Sequence, residues 1–419
     1  MLTKIEKYFA KLLSSNLVIK QFVKSIYTIP FTLLGSLVLK SKIKGNIVEF
    51  GEDNKESFFG YYDIKPDNLD GMVLCHQSTV ATHSNPDPSR SIEVCIFDMK
   101  EPGRPIFSAI SNAYNWQQGT RLQWLDQKKF IFNDFDKKRN RYVSRVIDSE
   151  NFDRKQTVDM PIQSLINKNE FLSLNYQRLA ALRPDYGYFN LSPSDIDLDN
   201  MQDDGIWKVN IKENTSKLIY SLDRIVNFKY LATKEKTFHK INHLMVSPDK
   251  NKFLILHRSF ANNSRYGRLL VGDVNGNNLV ELPTDKMVSH YTWLTNHLVL
   301  GYVSVKGKKD GYYIINIDTL SIEEMPNLNA VTLGDGHPIV SRDDEIITDS
   351  YPDRFGYQSL FIQNLKNNKT KKVAYLKHPR NFKLENRCDL HPKASIKRDS
   401  FYFDSVMTGK RRFYQFMLK

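Results

Sequence analysis

The chain has 419 residues, 41% hydrophobic and 12% aromatic, which suits a large packed core and argues against global disorder. A formal charge of +13 calls for acidic partners, either an acidic polymer or an anionic membrane surface. The absence of a basic base-reading helix or an RNA-binding signature argues against nucleic acid. Cys75, Cys95 and Cys388 are widely spaced with no CxxC pair. That pattern excludes a disulfide framework or zinc ribbon and points to a reducing compartment.

Residues 1–45 alternate Lys with Leu, Ile, Val and Phe at helical spacing. The apolar run over residues 25–39 contains Pro30 and is short for a membrane span. Two readings stay open here: a basic amphipathic segment lying on an anionic membrane face, or a helix packed on the flank of the domain. No small-residue cleavage site follows, so the expected location is cytoplasmic and peripheral at the inner membrane.

From residue 46 onward, short β-rich runs bounded by Gly, Asn, Asp and Pro replace helical periodicity. A first unit starts near Lys65, a second near Arg121, and a less regular third near Tyr176. Four more open on His243, His290, His337 and His391, at spacings of 47, 47 and 54 residues. That period is one four-stranded blade. Seven units predict an all-β fold, a closed seven-bladed β-propeller over residues 46–419, preceded by a short helical segment over 1–45. The last unit is one strand short, and the early run NIVEFGE is the expected missing edge.

Equivalent positions in successive blades converge at one end of a propeller channel, so the four histidines should become neighbours. Alignment of earlier units sets Arg121 at the place of His290 and Lys65 at that of His391. Such a ring needs an anion or a metal to neutralise it. Any one of these histidines alone would more simply cap its own blade. Four in register favour a metal or catalytic site. Asp349, Asp389 and Asp404 are candidates to orient the histidines, or to link blades. Arg258, which follows His257, and Arg387, beside Cys388, are candidate carboxylate clamps. Aromatic residues crowd the segments at 58–66 and 115–124, which suits sugar stacking or blade packing equally.

The segments HLMVSP at His243, HYTW at His290 and NRCDLHP at His391 resemble the oligogalacturonate lyases, TolB-like seven-bladed propellers that use a divalent metal such as manganese. In that family the histidine of H-x-x-W binds metal, and a glutamine followed by H-P-H-P supplies three more ligands. The resemblance implies a metal set of His290, Asn386, Asp389 and His391. Asn stands for the family's Gln and Asp for its first His, giving an oxygen-richer site still suited to manganese, with calcium, magnesium or zinc as other choices. The reaction it implies is β-elimination on a uronate-containing glycan. His243 is the expected base, with His257 and Arg258 as further catalytic candidates. Arg121, Lys65, His337 and Arg387 are the expected substrate contacts.

Two function classes follow. One is a metal-dependent lyase acting on an acidic polysaccharide or oligosaccharide, linked to surface polysaccharide such as capsule. The other is a non-catalytic propeller that binds such a glycan or an assembly partner at the inner membrane face.

Overall fold

The computed structural model describes residues 39–153, 155–229, 237–261, 264–332 and 334–418. The expected helical segment falls almost wholly in 1–38, outside the described residues. No described helix is long and apolar enough to cross a membrane.

Seven antiparallel sheets follow one another along the chain. Blade 1 lies within residues 56–111, blade 2 within 123–158, blade 3 within 164–221 and blade 4 within 238–281. Blade 5 lies within 288–324, blade 6 within 339–377 and blade 7 within 393–417. The early strand Ile47–Phe50 completes blade 7 by pairing with Arg412–Met417, so strands from both ends of the chain close the ring. Closure gives blade 7 its outer strand and leaves the remaining sheet edges on the outside of the ring. Lys42–Ile43, which the sequence grouped with the N-terminal segment, adds a fifth strand to blade 6.

The middle strands of each blade face neighbours on both sides and read as continuous apolar runs. Ile92–Asp98 is one such strand, with four of its residues fully buried in a row. The outer strand Pro105–Ser111 alternates half-buried and exposed residues instead. Packing between blades is therefore the core. Phe50, Phe97, Tyr402 and Phe413 form one such layer across the closure.

Two units start elsewhere than the sequence suggested. Blade 1 begins at Glu56, ahead of Lys65, because its inner strand is interrupted and the repeat signal is strongest after the break. Blade 3 begins at Ser164, and Tyr176 opens a helix, α1 (Tyr176–Leu182), inserted between its strands. Asn175 caps α1 by accepting from the Gln177 and Arg178 amides.

Carboxylates on second strands tie the blades together. Asp404 accepts the amides of Phe59 and Gly60 at 2.8 and 3.1 Å and the Lys393 ammonium at 2.6 Å. Asp349, at the equivalent place in blade 6, accepts the His391 amide of blade 7 at 3.0 Å. Lys393 is fully buried, so removing its partner strands a charge in the core. Asp404→Ala is expected to cost about 3–5 kcal/mol of stability in urea unfolding.

His76 provides a pH signature of this core. It is fully buried beside Thr120, and desolvation pushes its pKa down to about 3. The unfolded ring takes up a proton near its ordinary value, whereas the folded ring stays neutral. Stability from this group is complete at neutral pH and falls as pH drops below about 6.5, by at most about 1.4 kcal/mol per unit. Urea midpoints measured from pH 7 to pH 4 should decline over that window. A His76→Phe variant should decline less.

Candidate active site at one mouth of the channel

Blade 1 builds the centre of the site by breaking its own inner strand. Glu56–Phe58 pairs with Met72–Ser78, and the chain rejoins that strand only at Asp67, opposite Val73. The residues between turn into the channel. Gly60 makes the turn at φ 114°, and a Cβ there would lie 2.7 Å from the Gln118 carbonyl carbon.

Tyr61 and Tyr62 then sit among the four histidines. The Tyr61 ring centroid is 4.9 Å from that of His243 and 5.0 Å from that of His391. The Tyr62 centroid is 5.9 Å from His290 and 5.3 Å from His337. His290 and His337 are 4.0 Å apart, and His337 and His391 4.2 Å. Histidines from four consecutive blades thus gather around one pair of tyrosines.

Asp63 ends this loop and fixes two of the expected site residues. Arg121 donates to it through both terminal nitrogens at 2.9 and 2.8 Å, and His243 donates through Nε2 at 2.8 Å. Burial alone would raise the Asp63 pKa, but Arg121 and His243 outweigh it and hold the carboxyl well below the usual range. Arg121 also donates to the Gln163 carbonyl and is wholly enclosed, which keeps it out of reach of a substrate. His243 is 1% exposed with Nε2 committed to Asp63, a poor position for the expected base.

Three ligand atoms, one each from His337, Asp389 and His391, lie within 4.8 Å of one another. Asp349 accepts both the amide and the Nδ1–H of His337, at 2.7 and 2.9 Å. This fixes the neutral tautomer, so Nε2 carries the free lone pair. The Asp389 Oδ2 accepts from Arg387 Nε at 2.7 Å. His337 Nε2, His391 Nε2 and Asp389 Oδ1 are buried without a hydrogen-bond partner among the described residues. Two imidazole nitrogens and a carboxylate oxygen left bare together are a donor set that a divalent cation satisfies. Burial would lower the His337 pKa, yet Asp349, Asp389 and Asp335 raise it, whereas burial, with His337 and Lys393 nearby, pushes His391 well below the usual imidazole range.

Beside this group opens a cavity of about 360 Å³ between blades 4 and 5. Tyr61, Tyr186, His290 and Tyr351 line it together with four cations, Arg183, Arg258, Arg265 and Lys286, and no carboxylate. Arg183 reaches it from the turn after α1 and is paired with Asp185 at 2.8 Å. Arg258 donates to the Val288 carbonyl at 3.0 Å. Burial, with Arg183 and Arg265 nearby, lowers the Arg258 pKa, the mark of a cation held among like charges. His290 donates or accepts at Nδ1 with Asp335 at 3.2 Å, and burial takes its pKa down to about 4.

The remaining expected residues are distributed unevenly. His337, expected to touch substrate, belongs to the ligand group. Asn386, expected as a ligand, turns away and donates to the His83 carbonyl and to Asn85 at 3.1 and 2.8 Å. Arg387 buttresses Asp389 and also pairs with Asp185 at 3.3 Å. His257 neighbours Arg258 in a strand and therefore faces the other side of the blade. There its Nδ1 accepts from Arg268 at 3.0 Å, which leaves Nε2–H to donate to His239 at 3.2 Å. Lys65 is exposed, with Arg398 and Asp67 as its charged neighbours, and does not join the cluster. Sequence reasoning missed Asp63, Asp335, Arg183, Arg265 and Lys286. Only Asp63 stood in a segment already marked by its aromatics.

No protein-family model matches the sequence, and no curated protein matches it. Among solved structures, an oligogalacturonate lyase in complex with manganese aligns with a TM-score of 0.59 at 12% identity, covering 91% of this chain and 98% of that one. An oligogalacturonate lyase from Vibrio parahaemolyticus aligns at 0.57 and 13%, covering 91% and 99%. The fold is therefore the seven-bladed propeller of those lyases, as the resemblance implied. At this identity the likeness is one of fold.

Asp349 orients His337 and ties down the His391 backbone at once. Asp349→Asn should weaken binding of manganese about 10–100-fold, read by titration calorimetry on folded protein. An unchanged affinity would place the ion elsewhere.

Proposed function

We propose that this chain is a divalent-metal-dependent lyase-like enzyme acting on a uronate-containing oligosaccharide or polysaccharide. The observation that carries this reading is the electrostatic pairing at the channel mouth. A cation-seeking group of His337, Asp389 and His391 adjoins a cavity whose charged wall residues are all cationic. A bound cation beside an anionic sugar satisfies both halves, and a neutral sugar satisfies neither.

His337 and His391 through Nε2, with Asp389 through Oδ1, would hold the ion, manganese being the first choice for a mixed imidazole and carboxylate set. Bound there, a divalent ion withdraws charge from a uronate carboxylate and makes the adjacent C5 proton more acidic. Arg258, Arg265 and Lys286 supply further positive charge for that carboxylate. Arg258 is the best placed to fork two donors onto it, being buried on the wall with one hydrogen bond to protein. Elimination then moves the C5 proton to a base, forms the C4–C5 double bond and breaks the bond from C4 to its oxygen. That oxygen leaves as a hydroxyl after taking a proton. His290 presents an imidazole on the cavity wall, held at Nδ1 by Asp335, and replaces the enclosed His243 as the candidate base.

The enclosure of His243 is the one observation that favours the second class, a catalytically silent propeller holding the same glycan. The two differ in product. Manganese-loaded protein incubated with acidic oligouronides should release a 4,5-unsaturated end, and binding without that product would select the silent reading. In either class Arg258→Ala combined with Lys286→Ala should weaken binding of an oligouronide about 10–100-fold, as expected for loss of charge-assisted hydrogen bonds. Binding of the carboxyl-reduced oligosaccharide should stay as weak as it was. The work of either class is set at an anionic membrane face and linked to surface polysaccharide, as the basic segment 1–45 suggests.

A further inference from the structure

One neutral side chain on the cavity wall is left without a partner. Asn242 lines the cavity and is 3% exposed, and its Oδ1 is buried with no hydrogen bond among the described residues. A bare buried acceptor lowers stability, and an apolar side chain of the same size would avoid that loss. Cations on the same wall do not relieve it. Lys240 turns to the Leu182 carbonyl at 2.9 Å and Arg258 to the Val288 carbonyl at 3.0 Å.

A β-bulge sets this residue in place. In blade 4, Ile241 pairs with His257 and Leu244 with Ile255, so Asn242 and His243 together stand opposite Leu256. Plain alternation would send His243 to the far face with Ile241. The bulge turns it back, and His243 reaches Asp63 while Asn242 reaches the cavity. Arg258 is directly opposed by Lys240 on one side and by Gly267 on the other, so these three share the face that carries Asn242. Gly267 keeps the space before Arg258 open, since a Cβ there would lie 3.7 Å from Arg258 Cγ. An unpartnered amide oxygen and a buried guanidinium therefore address the same space.

What this oxygen lacks is a donor. Sulfate and phosphodiester groups of a polyanion present acceptor oxygens alone, so they would use the cations and leave Asn242 bare. A uronic acid presents a carboxylate to the cations and, beside it, ring hydroxyls that donate. We propose that Asn242 is a specificity-determining residue, accepting a hydrogen bond from a free ring hydroxyl of the sugar whose carboxylate Arg258 holds. The inference rests on the uronide reading above and narrows its substrate class. The sugar in the cavity carries an unsubstituted hydroxyl at the position that Asn242 reads, and a residue deoxygenated or O-acetylated there is rejected.

The test is calorimetric binding, with manganese present, of oligouronides built from galacturonate, glucuronate or mannuronate. The tightest of them is then compared with analogues in which single ring hydroxyls are replaced by hydrogen. The parent should bind one deoxy analogue at least about tenfold more weakly than the sugar itself, because that analogue strands the acceptor. Asn242→Leu should bind the sugar about tenfold more weakly than the parent does, and should bind that analogue no worse than the sugar. Asn242→Ala, which adds no volume, should lose the same discrimination. Thermal unfolding without ligand supplies a readout that a structural role would move. Removing a bare buried amide should leave the Asn242→Leu midpoint unchanged or raised. A lowered midpoint in both variants, or discrimination that survives both substitutions, overturns the proposal. So does a parent that binds the oligouronide yet treats every deoxy analogue like the sugar, a result that leaves the uronide reading standing. A parent that binds no oligouronide removes both.

Discussion

The buried contact of Asp63 with Arg121 and His243 is the constraint on which the site depends. It joins the loop of blade 1 to blades 2 and 4 at the channel axis. An unpaired charge at that depth is heavily penalised, so the three groups hold one another in place. With Asp63 fixed, Tyr61 and Tyr62 have one place to go, and the histidines of blades 4 to 7 pack around them. The Tyr62 hydroxyl completes the arrangement by donating to the Tyr291 carbonyl at 2.9 Å. The loop is thus a plug that turns an open channel into a shaped mouth.

The mouth is divided by charge. Asp335, Asp349 and Asp389 surround the histidines on one side, while arginines and a lysine line the cavity on the other. Neither half is comfortable alone. Bare lone pairs on one side and crowded cations on the other are both relieved when a cation and an anion bind side by side. Such preorganised charge is how an enzyme favours a developing negative charge without rearranging. It is equally how a binding protein selects an acidic ligand, which is why product formation decides between the two classes.

The repeat explains how so few chemical types yield two kinds of position. Blades 4 to 7 each bring a histidine to the mouth. Arg121 and Gln163 occupy the corresponding entries of blades 2 and 3, and there they serve the plug. Asp349 and Asp404 show the same division. Both accept backbone amides at the junction of blades, but Asp349 also orients a histidine where Asp404 neutralises buried Lys393. The same blade geometry serves packing on one side of the ring and holds the unpartnered donor group on the other.

Several features were legible in the sequence because their causes are local or periodic. The blade period gave the count and the histidine register, and a final unit lacking one strand pointed to Ile47–Phe50 as its partner. The opposite facing of His257 and Arg258 follows from alternation along one strand. Other features had no local signal. The units holding the plug and α1 start where the pattern is interrupted, so their boundaries were displaced. Asp63 meets partners 58 and 180 residues away, and no spacing rule links them. Of the expected ligand set, Asn386 turns away and His290 lines the cavity, while His337 joins Asp389 and His391; the irregular turns at 337 and 386, unlike strands, do not dictate where a side chain points. Residue types and their period determined which groups reach the mouth. Only the closed ring decided which of them face one another, because that depends on contacts between blades far apart in the chain.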